Sequence, residues 1–141
     1  MMKARDLALL LALGILLAWL VPVWGQPPRA VAPRFRPETF VRLEGVSGES
    51  AQRPGWIEAL SAMRFECRGR SFAFVHLVDR ASPALARAAA GGTHFAQAEL
   101  DLGGVRFVLT DVLVSRITQA SGARDRPAET VTLGFARCAR R

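Results

Sequence analysis

Apolar and polar residues alternate along most of this chain, and the alternation has the two-residue period of β-strands. Glu38–Val46 sets Phe40, Arg42 and Glu44 against Val41, Leu43 and Gly45, and ends in the polar turn Ser47–Ser50. Gly55–Cys67 reads as a second strand and Ser71–Val78 as a third, with the short Arg68–Gly69–Arg70 link between them predicting a tight hairpin. The pattern then changes. Ser82 is placed to cap a helix, Pro83 suits its first turn and Gly91 suits its left-handed stop, so a two-turn helix is expected over Pro83–Ala90. Two turns are too short to stand alone and must pack on something. His94–Leu102 alternates cleanly, Gly103–Gly104 turns the chain, and Val105–Ile117 follows as a long strand. The polar run Thr118–Pro127 reads as a loop, and Ala128–Cys138 is the last strand, with Val131, Leu133 and Phe135 on one side.

The Val105–Ile117 strand breaks the rule. One face offers Val105, Phe107, Leu109, Leu113 and Ile117, and the other offers Val108, Val112 and Val114 between Arg106 and Arg116. A strand apolar on both faces needs cover on both. Two covers stay open: the short helix, or a second copy of the chain. The second predicts a subunit surface at Val108, Val112 and Val114, with Leu85 and Arg87 of the helix.

The N-terminus has a different pattern. Leu7–Trp24 is an uncharged apolar run behind the basic start Met1–Asp6. That order, with Pro22 before Val23 and Gly25, is that of a secretory signal cut after Gly25. The run also reaches the lower length limit for a membrane span, so an uncleaved anchor is the other reading. Either predicts a body outside the inner membrane, periplasmic or secreted. Residues 26–37 hold four prolines and three arginines and read as a linker. The expected organisation is residues 1–25 as signal or anchor, 26–37 as linker and 38–141 as one folded body. Roughly 100 residues suffice for one small core.

The net charge is +7, and residues 1–25 account for +1 of it. Nearly all the base is arginine; Lys3 is the only lysine. In the body the arginines are scattered along the sequence rather than gathered in a block with aromatics, which points to a solvated surface and away from nucleic acid. A membrane contact is expected only through an uncleaved N-terminus. Cys67 and Cys138 are the two cysteines, and an exported chain would tend to bridge them. The alternation puts Cys138 on the side opposite Phe135 and Leu133, so a bridge needs the last strand to bend or end there.

Catalytic chemistry is not written in this sequence. His76 and His94 have no ligand at metal-site spacing, and the cysteine pair has no histidine pair beside it. Ser47–Ser50 lacks the glycine-flanked serine of a hydrolase elbow and reads as a turn. Asp111, Asp125 and Glu129 have arginine neighbours that suggest salt bridges. No catalytic residue, cofactor or metal is expected.

Several segments together carry a family resemblance: FVRLEGVSGES, IEALS, FAFVHLVDRASPALARAAAGGTHF, LTDVLVSRIT and DRPAETVTLGFA, in this order. Over Glu38–Ala136 the chain resembles the haemolysin-coregulated proteins (Hcp), the tube proteins of type VI secretion systems. The resemblance implies a mainly β fold, an Hcp-like barrel of two antiparallel sheets with one short α-helix. It implies a non-enzymatic subunit of a hexameric ring that stacks into a tube and carries effectors, so that the partners are further copies of itself, effectors and other secretion-system proteins. The alternative is an exported, monomeric or anchored binding module of the same fold. The chain departs from the family in its N-terminal run, in its short Ala51–Gly55 and Arg68–Arg70 loops, in SAMRFEC where a tryptophan-containing strand is usual, and in stopping at FARCARR.

Overall fold

A computed structural model describes residues 38–123 and 125–141. The expected signal or anchor and the linker lie outside the described residues. Seven strands and one helix follow in order: β1 (Thr39–Leu43), β2 (Ile57–Ala59), β3 (Ser61–Ala62), β4 (Ser71–Leu77), α1 (Ser82–Gly91), β5 (His94–Leu102), β6 (Val105–Ala123) and β7 (Arg126–Arg140). All ladders are antiparallel, in the order β2-β1-β5-β6-β7-β4-β3. The strands of the expected barrel therefore form one continuous curled sheet. Its two edges meet in a single stretch of chain: Ile57–Ala59 pairs with β1, and two residues on Ser61–Ala62 pairs with β4. Closing a sheet in this way removes its outer edges.

The expected second strand is shorter than its alternation suggests. Leu60 and Met63 still donate backbone hydrogen bonds to Val75 and Ala73. The chain then leaves the sheet, and the connection to β4 is the loop Met63–Arg70, not a tight hairpin. The reason is Phe65, which turns inward and packs edge-on against Phe72 and Phe107, with centroids 5.3 and 4.9 Å away. At the other end of the sheet the reverse holds. The polar stretch expected as a loop is a continuation of the β6–β7 hairpin, with Thr118 opposite Thr130 and Gln119 opposite Glu129. Paired threonines suit a ladder whatever their polarity, and Asp125, at φ 58°, makes the turn.

α1 starts one residue earlier than expected and stops one later. Ser82 does not cap it; its hydroxyl accepts the Asp79 N–H at 3.1 Å while the Asp79 carboxylate accepts the Ala81 N–H at 2.8 Å. The left-handed stop is Gly92 (φ 61°), not Gly91. Leu85 and Ala88 are buried in the core with Phe72, Phe74, Leu100, Leu109 and Val131.

The long strand resolves its own puzzle. Phe107 and Leu109 face the core, and so do Val112 and Val114, because Thr110 and Asp111 both point away. Asp111 sits at φ 56°, a left-handed conformation that aspartate tolerates. The same break crosses the neighbouring strands. In β5 the inward positions are Phe95 and Ala98, and in β7 they are Phe135 and Cys138; Gln97, Thr110 and Arg137 stand in register between them. Three strands thus change parity together at one corner. A second bulge between Val114 and Arg116 returns Ile117 to the core. The two apolar faces of the sequence are largely one face, re-aimed.

Outside β1 and β5 the loop after β1 lies flat. Arg53 donates to the buried Asp101 at 2.7 Å and stacks over Phe40 at 4.4 Å, and Arg42 reaches Glu99 at 2.8 Å. Ser50 donates to Glu58 at 2.7 Å, and Gly48 lies against the backbone of Trp56 and Ile57. A β-carbon at Gly48 has no room there, whereas one at Gly45 meets nothing within 4 Å and strains only the positive φ of 79°. Gly48→Ala is expected to cost about 2–3 kcal/mol by overpacking, against about 1 kcal/mol for Gly45→Ala. Thermal unfolding of the two variants checks this, and equal losses would mean that the loop is not held against β2.

Candidate assembly surface

Four of the five side chains that the sequence offers as a subunit surface lie inside the subunit. Leu85 and Val112 are fully buried, Val114 is 2% exposed and Val108 is 7% exposed. Only Arg87 is exposed. The parity change puts Val112 and Val114 into the core, and α1, the other of the two covers left open by the sequence, packs against β6.

A different surface remains. β5 flanks β6 only from Val105 to Leu113. From Val114 to Ala123, β6 has β7 on one side and, among the described residues, no strand on the other. On the far side of the same ribbon β4 flanks β7 from Ala128 to Gly134. The Phe135 N–H still reaches the Arg70 carbonyl at 3.1 Å, and past it Ala136–Arg140 has no strand partner on that side among the described residues. The ribbon therefore carries two unpaired backbone edges, on opposite sides and at opposite ends. The first is lined by exposed Ser115, Arg116, Thr118, Gln119 and Ser121. It has none of the lysines or prolines that usually protect an edge from pairing.

Cys67 and Cys138 form a disulfide, with their Cα atoms 5.4 Å apart. The bend that this pairing requires is the parity change at Ala136–Arg137. The bridge pins the Met63–Arg70 loop to the end of β7 beside Phe65 and Phe135, whose rings are 5.9 Å apart.

Both histidines have carboxylate partners that no sequence spacing signals. His76 is 1% exposed; its Nε2 lies 2.9 Å from Glu129 of β7, and its Nδ1 has no hydrogen-bond partner and lies 3.8 Å from Asp79. Glu129 and Asp111 thus face histidines and not the arginines beside them in sequence. The His76 pair, with the imidazole buried and Glu129 partly exposed, ties β4 to the β6–β7 hairpin. His94 and Asp111 form an exposed pair at 2.7 Å, bracing the corner where Asp111 bends β6. Among the described residues no three potential ligands converge on a metal site.

A sequence model of the family described as type VI secretion system effector, Hcp, matches residues 40–140. The chain belongs to the Hcp family. Solved Hcp structures superpose on it. Hcp1 from Salmonella typhimurium is 33% identical, with a TM-score of 0.58 over 69% of this chain and 79% of that one. A type VI secretion system effector from Yersinia pestis is 25% identical, with a TM-score of 0.63 over 72% and 87%. Hcp2 from Salmonella typhimurium is 26% identical, with a TM-score of 0.63 over 72% and 83%. No curated protein matches the chain by sequence. The curled sheet and the helix of the described residues are therefore the Hcp fold, and the unpaired ribbon edges lie on a protein of that family.

Proposed function

We propose that the chain is an exported, ring-forming tube subunit of a type VI secretion system, without enzymatic activity, whose hexameric ring carries effectors. One observation carries the reading: the β6–β7 ribbon holds unpaired edges on opposite sides and at opposite ends. Joining the Val114–Ala123 edge of one copy to the Ala136–Arg140 edge of the next is a head-to-tail contact, and a head-to-tail contact that closes makes a ring. One observation favours the monomeric binding module instead. Among the described residues only Met63 and Val78 are large apolar side chains counted as exposed, so little apolar surface asks for cover.

Light scattering on residues 26–141 separates the two. A mass near six chains supports the ring, and a single-chain mass supports the module. Proline then tests the edge. Neighbouring residues of a strand direct their N–H groups to opposite sides, so one of Thr118 and Gln119 donates toward the open side. Proline there removes a donor without touching the β7 ladder. Whichever of Thr118→Pro and Gln119→Pro stays folded should be monomeric. A folded proline variant that still assembles at the wild-type mass would exclude this edge from the contact.

A further inference from the structure

Beyond its last strand pair the β4–β7 ladder goes on in register, though not in hydrogen bonds. Ser71 stands opposite Gly134 and Phe72 opposite Leu133. Carried back along the chain, the same register sets Arg70 opposite Phe135 and Cys67 opposite Cys138. The chain keeps to it. The Phe135 N–H donates to the Arg70 carbonyl at 3.1 Å, and the bridged cysteines have their Cα atoms 5.4 Å apart, within the spacing of facing antiparallel residues. Between these two points Arg68 and Gly69 leave the ladder in a turn, closed by the Gly69 N–H on the Glu66 carbonyl at 3.0 Å. Residues 67–70 therefore lie alongside β7 from Phe135 to Cys138. That is the side on which the Ala136–Arg140 edge would receive a neighbouring copy.

Little besides the bridge keeps them there. Arg68, Gly69 and Arg70 are exposed, and Cys67 is half-buried. Among the described residues no backbone hydrogen bond runs from residues 64–69 to the rest of the body. The Glu66–Gly69 bond and the Arg64–Glu66 ion pair at 3.7 Å both lie within the loop. The inward ring of Phe65 anchors the segment before Cys67, and the Arg70 carbonyl anchors the end after it. With the sulfurs parted, residues 67–69 can swing out from β7 about those two points.

We propose that the Cys67–Cys138 bridge is a redox latch on the assembly edge. Closed, it holds residues 67–69 across the start of Ala136–Arg140 and keeps the subunit single, as a loop laid over a strand edge blocks further pairing. Opened, it uncovers that edge for Val114–Ala123 of the next copy. The inference rests on the ring reading and adds its condition: the mass near six chains belongs to the reduced chain. Opening is a two-electron exchange with a dithiol. One thiolate of the dithiol attacks one sulfur of the bridge, forming a mixed disulfide and releasing the other cysteine. The second sulfur of the dithiol then displaces the remaining cysteine. The dithiol leaves as a cyclic disulfide, and its two protons end on Cys67 and Cys138. In an oxidising compartment the latch is shut.

The test weighs the full chain by native mass spectrometry before and after dithiothreitol, in a mild detergent that keeps the apolar run Leu7–Trp24 dissolved. The oxidised chain should give a single-chain mass and the reduced chain a mass near six chains. Cys67→Ser/Cys138→Ser should show the higher mass without reductant. Replacing dithiothreitol by oxidised glutathione should return the wild type to the single-chain mass. Circular dichroism, read below the thermal transition of the reduced chain, checks that the fold is kept. Under reduction, whichever of Thr118→Pro and Gln119→Pro folds should stay single; a mass near six chains there places the contact on another edge and overturns the latch. Masses near six chains in both redox states overturn the latch and leave the ring standing, and so does a ring that only the oxidised chain forms. Single-chain masses in both states, with native spectra, overturn the ring reading and the latch with it. A reduced chain without its native spectrum overturns the latch, since the bridge is then a support of the fold, and the oxidised mass alone decides the ring.

Discussion

Val112→Asp is expected to unfold the subunit, not to release monomers from a ring. Val112 is fully buried, stands between Phe95 and Phe135 in the three-strand corner, and belongs to the core cluster. A carboxylate there loses its hydration, and the residues opposite it on the two flanking strands, Phe95 and Phe135, are apolar. The cost is about 4 kcal/mol or more, and a domain of this size has about 5–15 kcal/mol in total. Circular dichroism and urea unfolding of the variant check this directly. A variant with native spectrum, native midpoint and reduced mass would place Val112 at a subunit contact after all and undo the parity change at Asp111.

Removing the disulfide is the second large effect. Cys67 and Cys138 are separated by 71 residues in sequence. Closing a loop of that length in the unfolded chain corresponds to about 4 kcal/mol of stabilisation. The bridge also holds the Met63–Arg70 loop, and with it Phe65, against Phe72, Phe107 and Phe135. Cys67→Ser/Cys138→Ser should therefore unfold at markedly lower denaturant than the oxidised chain, and the oxidised chain should fall to the same midpoint when reductant is added. If reductant leaves the wild-type midpoint unchanged, the two thiols do not bridge in solution. The dependence on oxidation also bears on location, since such a bridge persists in the periplasm or outside the cell and not in a reducing cytosol.

Much of this was legible in the residues. β1, β4 and most of β5, β6 and β7 follow the two-residue alternation, and α1 follows its proline, with its left-handed stop at Gly92 in place of Gly91. The resemblance carried by LTDVLVSRIT and DRPAETVTLGFA leads to the Hcp family, which the family model then matches over residues 40–140. Errors arose where a local pattern stood in for a distant contact. The polar run Thr118–Pro127 reads as a loop because composition reports solvent and not pairing. The strand expected through Cys67 ends early because Phe65 finds Phe72, Phe107 and Phe135, none of which lies beside it in sequence. His76 and Glu129 are 53 residues apart and His94 and Asp111 17, so no spacing rule could join them.

By itself the sequence determined most of the strands, the helix and the Gly103–Gly104 turn, because these rest on neighbours two to four residues away, and its ordered motifs led to the family. Only the tertiary structure decided which side of each strand is inside. Alternation fixes the side of one residue relative to the next, but a single left-handed residue at Asp111, matched across β5 and β7, inverts the assignment in β6 as far as the second bulge after Val114. That inversion buried Val112 and Val114 and brought Cys138 round to Cys67. Convergence of this kind depends on register and closure, which are properties of the whole sheet and are encoded in no one strand.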